Sequence, residues 1–255
     1  MKNEKNNSQL STLNSQLKKH SQLIKVCGMR EPENIRCVEA LDVDCLGFIF
    51  YDRSPRYVPD RRAYIEAITG CKKIKVGVFV NESVEMMIDK GMLFKLNIIQ
   101  LHGDETPDVC CELGERGYAV IKAFPIASAT DFQHTALYRY CCDYFLFDTK
   151  SAAYGGSGSR FDWHLLDAYQ GETPFLLSGG LTPDCVDEIK HLKHPQLAGI
   201  DLNSGFEISP ALKDTDKLEK FIEDFRCSEE GIIKIKQPNI IWRLDCFVPR
   251  NDVNR

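Results

Sequence analysis

The 255-residue sequence lacks the features that mark membrane, secreted and nucleic-acid-binding proteins. No apolar run approaches the about 20 residues that cross a bilayer, and the polar segment 1–22 has no apolar core of a secretory signal. The net charge is −5, and basic residues form no block longer than "DRR" or "KKIK". We therefore expect a cytoplasmic protein that has neither nucleic acid nor a membrane as a partner.

Recognisable cysteine motifs are also missing. The eleven cysteines form no Cys-x-x-Cys pair, and their number is odd. The adjacent pairs Cys110–Cys111 and Cys141–Cys142 lie in stretches with a helical pattern. Their spacing matches no ligand set, and without a signal peptide a reducing compartment is expected. The sequence thus predicts reduced thiols, with no disulfide and no metal.

Eight short apolar runs recur along the chain. They begin at Leu23, Cys45, Ile74, Ile98, Tyr118, Tyr144, Pro174 and Leu197, at intervals of 22, 29, 24, 20, 26, 30 and 23 residues. Most are continuously apolar, which is typical of parallel strands buried on both faces. Between them lie helical patterns such as "PENIRCVEALD", "SVEMMIDKGM" and "TPDVCCELGERG".

The alternation predicts a single-domain α/β protein, a (β/α)8 TIM barrel. An open doubly wound sheet is the alternative, but the "GxGxxG" expected after its first strand is absent. In such a barrel the active site lies at the carboxyl ends of the strands. The polar residues that follow the runs, among them Cys27, Arg56, His102 and Asp148, become the candidates.

Three glycine-rich stretches occur in the second half: "YGGSGSRFDW", "LSGGL" and "LNSGFE". Glycine lets backbone N–H groups surround an anion, and the loops after strands seven and eight are the usual phosphate site of this architecture. The alternative is that they only form tight corners between strands and helices. Three such loops favour a phosphorylated substrate, held through Gly179, Gly180, Ser204 and Gly205.

Six motifs carry a resemblance to a known family: "KVCGMREPENI", "GFIFYDRSPRYV", "VGVFVNE", "IIQLHGDET", "FDTKSAAYGGSGSRFDW" and "LSGGLTPDCV". From about Leu23 to Arg226 the chain resembles phosphoribosylanthranilate isomerase, a barrel enzyme of tryptophan biosynthesis. The resemblance implies an Amadori rearrangement of N-(5-phosphoribosyl)anthranilate that needs no cofactor.

The resemblance also implies site residues. Cys27 carries over as the general base and Asp148 as the general acid, while Arg56 carries over as the partner of the substrate's anthranilate carboxylate. A guanidinium suits that task because its planar fork can pair both carboxylate oxygens. Gly156 lies in the glycine-rich part of the "DTK…GGSG" motif and belongs with the substrate-binding residues. His102 is also placed with the substrate-binding residues at the site; the alternative is a satisfied structural histidine.

The expected roles require shifted acidities. A thiol has an ordinary pKa of about 8.5 and an aspartate about 3.9, so each starts in the wrong protonation state at neutral pH. Cys27 needs a positive influence, such as the N-terminus of the helix beginning near Pro32. Asp148 needs partial burial or a charged neighbour to keep its proton.

Two stretches depart from the family pattern. "DLNSGFE" has Leu202 and Asn203 where the family usually has valine and serine, and "SPALKD" has Ala211 where a glycine is common. We expect these changes to affect affinity for the phosphate more than chemistry.

We predict a barrel domain over 23–227, preceded by a disordered polar leader, 1–22, which is alternatively coding sequence upstream of the natural start. Residues 228–255 form an extension that either packs on the barrel or another subunit or is loosely attached. The expected assembly is a monomer or a homodimer.

Two other functions fit parts of the sequence. A related phosphosugar isomerase or synthase would use carboxylates or a lysine instead of the Cys/Asp pair. A non-catalytic phosphometabolite-binding barrel would have no use for Cys27, Arg56 and Asp148 together.

Overall fold

A computed structural model describes residues 22–149 and 160–227 and shows a closed barrel of eight strands in sequential order. The strands are β1 Leu23–Val26, β2 Cys45–Ile49, β3 Ile74–Phe79, β4 Ile98–Leu101, β5 Ala119–Ile126, β6 Tyr144–Thr149, β7 Phe175–Leu177 and β8 Leu197–Leu202. All neighbours pair in parallel, and β8 closes the ring onto β1. The predicted (β/α)8 barrel is confirmed, and the open sheet is excluded. The predicted leader, apart from residue 22, and the extension 228–255 lie outside the described residues.

Helices cover the barrel from outside. The α-helices are α1 Pro32–Ala40, α2 Arg62–Gly70, α3 Val84–Phe94, α4 Pro107–Glu115, α5 Val186–His191 and α6 Thr215–Arg226. Shorter 3-10 helices span Ala129–Tyr138, Trp163–Ala168, Pro183–Cys185 and Ser204–Phe206. A small antiparallel ribbon of β9 Glu207–Ser209 and β10 Leu212–Lys213 follows β8.

Local sequence explains several helix starts. Pro32 and Pro107 stand at the first positions of α1 and α4, where the missing N–H costs nothing. The side chains of Ser83 and Asp214 cap α3 and α6 by accepting hydrogen bonds from Met86 N and Lys217 N.

Alternating side chains divide the core into two apolar clusters. One fills the interior of the barrel and includes Ile74, Ile98, Leu146 and Leu176. The other lies between the strands and the helices. Both faces of every strand are therefore covered, which accounts for the continuous apolar runs. Towards the carboxyl ends the interior positions become polar.

One cysteine prediction is wrong. The structure joins Cys111, in α4, to Cys141, in the turn after the 3-10 helix Ala129–Tyr138, through a disulfide. The Cα atoms are 4.6 Å apart although 30 residues separate them in sequence. Packing of α4 beside the 3-10 helix creates this proximity, and linear spacing gives no sign of it. Cys141 and Cys142 also lie outside any helix.

The last helix is tied to the first strands. Arg226, which ends α6, donates from Nη1 to the backbone O of Gln22 and from Nη2 to Asp44 Oδ2 at 2.8 Å. The same Asp44 oxygen accepts from the backbone N of Ile24. None of the helices in the described ranges is long and apolar enough to span a bilayer.

Candidate active site

A cavity opens at the carboxyl ends of the strands and encloses about 710 Å³, including space open to solvent. Of the predicted site residues, it is lined by Cys27, His102, Asp148, Gly179, Gly180 and Ser204. Its other walls include Tyr51, Gln100, Ser178, Asp201 and Asn203. The predicted thiol and carboxylate, from β1 and β6, thus border one space.

Cys27 follows β1 directly and is 3% exposed. Its backbone N donates to Leu202 O at 2.8 Å, which joins it to the end of β8. A Cβ on Gly47 of β2 would lie 2.8 Å from its sulfur, so a larger residue there would collide with the thiol. Burial raises the pKa of the Cys27 thiol; the nearby ammonium of Lys25 opposes that rise.

The positive influence on Cys27 differs from the one predicted. Burial acts to lower the pKa of Lys25, yet Asp201 and Cys27 raise it above the usual range, so the ammonium stays charged. Burial raises the pKa of Asp201, and the charge of Lys25 opposes this. Lys213 adds a second positive charge facing the sulfur.

Asp148 ends a short chain of polar contacts across the cavity. Its Oδ1 accepts from the backbone N of Thr149 at 2.8 Å, and its Oδ2 lies 3.3 Å from His102 Nε2. The other ring nitrogen, Nδ1, is 3.0 Å from Gln100 Nε2. An amide nitrogen only donates, so this arrangement places the ring proton on Nε2, directed at Asp148. His102 is thus a cavity residue in contact with the predicted acid.

Arg56 lies beside the cavity, and its guanidinium is hydrogen-bonded to the carboxylate of Glu207 in β9. Its Nε donates to Glu207 Oε1 at 2.9 Å and its Nη2 donates to Oε2 at 2.6 Å. A Cβ on Gly28 would lie 2.7 Å from Arg56 Cδ, so the arginine crosses the residue next to Cys27. The sequence did not predict this carboxylate partner.

A buried lysine completes the same network. Lys213 Nζ donates to Glu207 Oε1 at 2.7 Å and to Asn203 Oδ1 at 2.8 Å. Burial works against the Glu207 carboxylate, but Arg56 and Lys213 hold the pKa of Glu207 below its usual range. Asn203, one of the departures from the family pattern, therefore orients the lysine. Ala211, another of these departures, adopts a left-handed φ of 68°.

The glycine loops after β7 and β8 contact each other. Gly179 and Gly180 have φ values of 86° and 66°, which favour glycine. A Cβ on Gly205 would lie 2.1 Å from Leu181 O, so the two loops touch through backbone. Gly205 itself is beside the cavity, and the predicted Gly156 lies outside the described residues.

Sequence reasoning missed five residues: Lys25, Gln100, Asp201, Glu207 and Lys213. Three of them carry a positional signal, because strand side chains alternate. Lys25 precedes Cys27 by two, Gln100 precedes His102 by two, and Asp201 precedes Asn203 by two, so each pair shares a face. Glu207 carries no such signal, since its role depends on the ribbon after β8.

Within residues 22–149 and 160–227, no group of three or more His, Cys, Asp or Glu side chains could hold a metal ion. The cavity instead offers a thiol, two carboxylates and an imidazole. These groups can move protons. A parallel eight-stranded barrel with such a cavity at the carboxyl ends of its strands belongs to the barrel enzymes.

Comparisons with known proteins narrow this class. A family model described as "N-(5'phosphoribosyl)anthranilate (PRA) isomerase" matches residues 24–224. The N-(5'-phosphoribosyl)anthranilate isomerase of Parabacteroides distasonis is 55% identical over 204 residues, 79% of this chain and 92% of the relative. The chain therefore belongs to the N-(5'-phosphoribosyl)anthranilate isomerase family and is an isomerase.

Solved structures agree with this assignment. A phosphoribosyl anthranilate isomerase in complex with reduced 1-(o-carboxyphenylamino)-1-deoxyribulose 5-phosphate has a TM-score of 0.66 at 30% identity, covering 81% of this chain and 99% of that one. Monomers generated from the dimeric enzyme of Thermotoga maritima have a TM-score of 0.69 at 30% identity, with the same coverage.

Proposed function

We propose that this isomerase of tryptophan biosynthesis rearranges N-(5-phosphoribosyl)anthranilate, with Cys27 as general base and Asp148 as general acid. The product is 1-(2-carboxyphenylamino)-1-deoxyribulose 5-phosphate. The observation that carries the assignment is that the thiol and the carboxyl border the same cavity from β1 and β6.

The reaction consists of four proton transfers. Asp148 gives a proton to the furanose oxygen, the C1–O bond breaks, and the anthranilate nitrogen supplies the electron pair that forms the Schiff base. The Cys27 thiolate then removes the proton from C2, and the electron pair of the C2–H bond forms the enolamine. The Cys27 thiol then returns its proton to C1, and the C2 hydroxyl gives its proton to the Asp148 carboxylate, which forms the ketone and restores both side chains. Each step is ordinary acid or base catalysis by a positioned side chain.

His102 supports the acid in this scheme. After Asp148 gives up its proton, the Nε2–H of His102 donates to the new carboxylate, 3.3 Å away. A hydrogen bond to the charged form favours that form. Gln100 keeps the ring in the donating tautomer through its contact with Nδ1.

Arg56 binds the anthranilate carboxylate in this proposal. Its contacts with Glu207 occupy Nε and Nη2. A guanidinium has five N–H donors, so Nη1 remains to pair with a substrate oxygen. Glu207 and Lys213 together fix the position of the Arg56 guanidinium beside Gly28.

The phosphate sits at the other end of the cavity, on the glycine loops. Gly179, Gly180 and Ser204 line that part of the wall, and Gly205 packs behind them. Positive φ values turn successive backbone N–H groups towards one side, which forms a nest for an anion. Gly156 is assigned to the same site on the family motif alone.

The remaining expectations stay predictions. We expect a cofactor-independent cytoplasmic enzyme whose catalytic domain spans 23–227. Its assembly, monomer or homodimer, is measurable by analytical ultracentrifugation of the full chain.

One assay tests the function. The purified full chain should consume N-(5-phosphoribosyl)anthranilate, followed by the loss of its fluorescence, in buffer without metal or nucleotide. Cys27→Ala and Asp148→Asn should each lower kcat by about 100-fold or more. The matched controls are Cys45→Ala, a buried cysteine inside the barrel on β2, and Asp187→Asn, an exposed aspartate of α5. Wild-type kcat in either site variant would reject that residue's role.

A further inference from the structure

A buried ion pair lies beneath the cavity, between the first and last strands. Lys25 Nζ is 2.8 Å from Asp201 Oδ1, and the two side chains are 0% and 5% exposed. The two residues are direct partners in the pairing of β1 with β8. A buried pair adds little net stability over apolar residues of the same size, because both charges lose their hydration. Stability alone therefore does not explain its presence.

The ion pair lies next to Cys27. Lys25 is two residues earlier on the same strand, so both side chains point into the barrel. Its positive charge favours the thiolate form of the sulfur. No other residue of β1 brings a charge to the interior.

Few other charged groups face the sulfur. Asp201 on β8 and Lys213 on β10 do so, while β2 presents the uncharged Gly47. The charge of Lys25 favours the thiolate, and that of Asp201 opposes it. The carboxylate in turn keeps the buried lysine protonated.

We propose that Lys25 is a positioning residue for the isomerisation, whose ammonium, held against Asp201, stabilises the anionic form of the Cys27 sulfur. The inference rests on the proposed role of Cys27 as the base. Lys25 remains protonated throughout: the thiolate accepts the proton of C2, becomes a thiol and returns that proton to C1. The lysine does not touch the substrate.

The test measures the thiol directly in the free enzyme. Cys27 is alkylated with iodoacetamide across the neutral and alkaline range, and its rate is read by mass spectrometry of the peptide that contains it. In Lys25→Met we expect the rate at neutral pH to fall by about tenfold or more, since a shift of one pH unit in ionisation changes the thiolate fraction tenfold. The midpoint of the pH profile should move upwards by about one pH unit or more, which corresponds to the tenfold fall in rate.

A second variant covers the case in which Lys25→Met does not fold, because it leaves Asp201 buried without its partner. Lys25→Met/Asp201→Asn removes both charges, so the barrel should regain stability while Cys27 stays less reactive than in the wild type. If the double variant is stably folded but Cys27 still reacts slowly, the loss of reactivity is due to the missing charge of Lys25 and not to disturbed packing.

The matched control is Lys75→Met. Lys75 is also a buried strand lysine beside a cysteine, since its Nζ donates to Cys71 O at 3.2 Å, but it belongs to β3 and not to the cavity. It should leave Cys27 unchanged. A wild-type pH profile of Cys27 alkylation in folded Lys25→Met, or in the double variant, would overturn the inference. Full activity of Cys27→Ala would instead reject the role of Cys27 as the base. The alkylation experiment would still show whether Lys25 stabilises the thiolate, because it does not depend on catalysis.

Discussion

His102 and Asp148 face each other across the cavity, with Nε2 of the imidazole 3.3 Å from Oδ2 of the carboxylate. The contact joins the end of β4 to the end of β6, and Gln100 fixes the ring from behind. In the proposed mechanism it supplies a donor for the carboxylate that forms when Asp148 gives up its proton.

Removing that donor should slow the chemical step. For His102→Ala we expect kcat to fall by about tenfold to 100-fold, because the carboxylate left after proton transfer loses its hydrogen bond. KM should change less, since both ring nitrogens already face protein groups, Asp148 and Gln100. His102→Gln, which retains an N–H donor, should keep more activity. His191→Ala, at an exposed histidine of α5, is the control. Steady-state kinetics with an unchanged kcat in His102→Ala would contradict the expectation.

Glu207 should contribute stability that depends on pH. Arg56 and Lys213 hold its pKa below the usual value, so its stabilisation is complete above about pH 4.5 and is lost as the pH falls through the lower folded value. Glu207→Gln leaves the buried Lys213 and the partly buried Arg56 without their carboxylate and should cost about 3–5 kcal/mol at neutral pH. The difference should shrink in acid. KM should also rise, because Arg56 loses its anchor.

Urea unfolding at neutral and acidic pH measures this effect. The control is Glu66→Gln, whose partner Arg62 is exposed on the same helix, α2. An exposed pair of this kind is worth about 0.3–0.5 kcal/mol. An equal loss in both variants, or a Glu207→Gln difference that is constant with pH, would contradict the linkage.

Gly179→Ala should damage the proposed phosphate site. The added Cβ would lie 2.5 Å from the backbone N of Thr149 and 2.7 Å from Asp148 Oδ1, at a φ of +86°. The left-handed backbone alone costs an alanine about 1–2 kcal/mol. We expect weaker inhibition by inorganic phosphate and a KM raised by about tenfold, which corresponds to 1.4 kcal/mol of binding. Gly114→Ala, in open space near the end of α4, should instead stabilise the protein. Unchanged phosphate inhibition in Gly179→Ala would argue against this site.

The disulfide should make stability depend on the redox state of the buffer. Cys111 and Cys141 close a loop with a sequence separation of 30 residues, and a crosslink of this length is worth about 3–4 kcal/mol in the chain-entropy account. Cys141→Ser should therefore unfold at lower denaturant concentration than the wild type without reductant, and at the same concentration with it. Cys37→Ser, at an exposed free cysteine, should match the wild type in both buffers. A wild type that is insensitive to reductant would rule out the expected contribution.

The barrel was predictable because its strands are covered on both faces. Each apolar run therefore stands out, and the period of the runs specifies a parallel closed sheet. The helical pattern is weaker after β5 and β6, where 3-10 helices replace regular α-helices. There the chain has fewer apolar positions at helical spacing, and packing against the barrel sets the conformation.

The site was predictable in part. Cys27 directly follows β1 and Asp148 is the penultimate residue of β6, so position and motif both made them candidates. The Lys25–Asp201 ion pair joins residues that are 176 apart in sequence, and the Arg56–Glu207 ion pair joins residues that are 151 apart. Neither partner of such a pair indicates the other locally, because only the closure of β8 onto β1 brings them together. The Cys111–Cys141 crosslink escaped prediction because packing of α4 beside the 3-10 helix, which linear spacing does not show, brings the two sulfurs together.

The hydrogen bonds that Arg226 donates to Gln22 and Asp44 bring the two ends of the described barrel side by side. The eight strand–helix units therefore form a closed ring in which the last unit lies next to the first, and the contact between these two resembles the contacts between the other neighbours. A circular permutant, with residues 22 and 226 bridged by a short flexible linker and new termini opened in an exposed loop, should keep the same strand pairing. The order in which the units are synthesised would then change while the cavity stays the same.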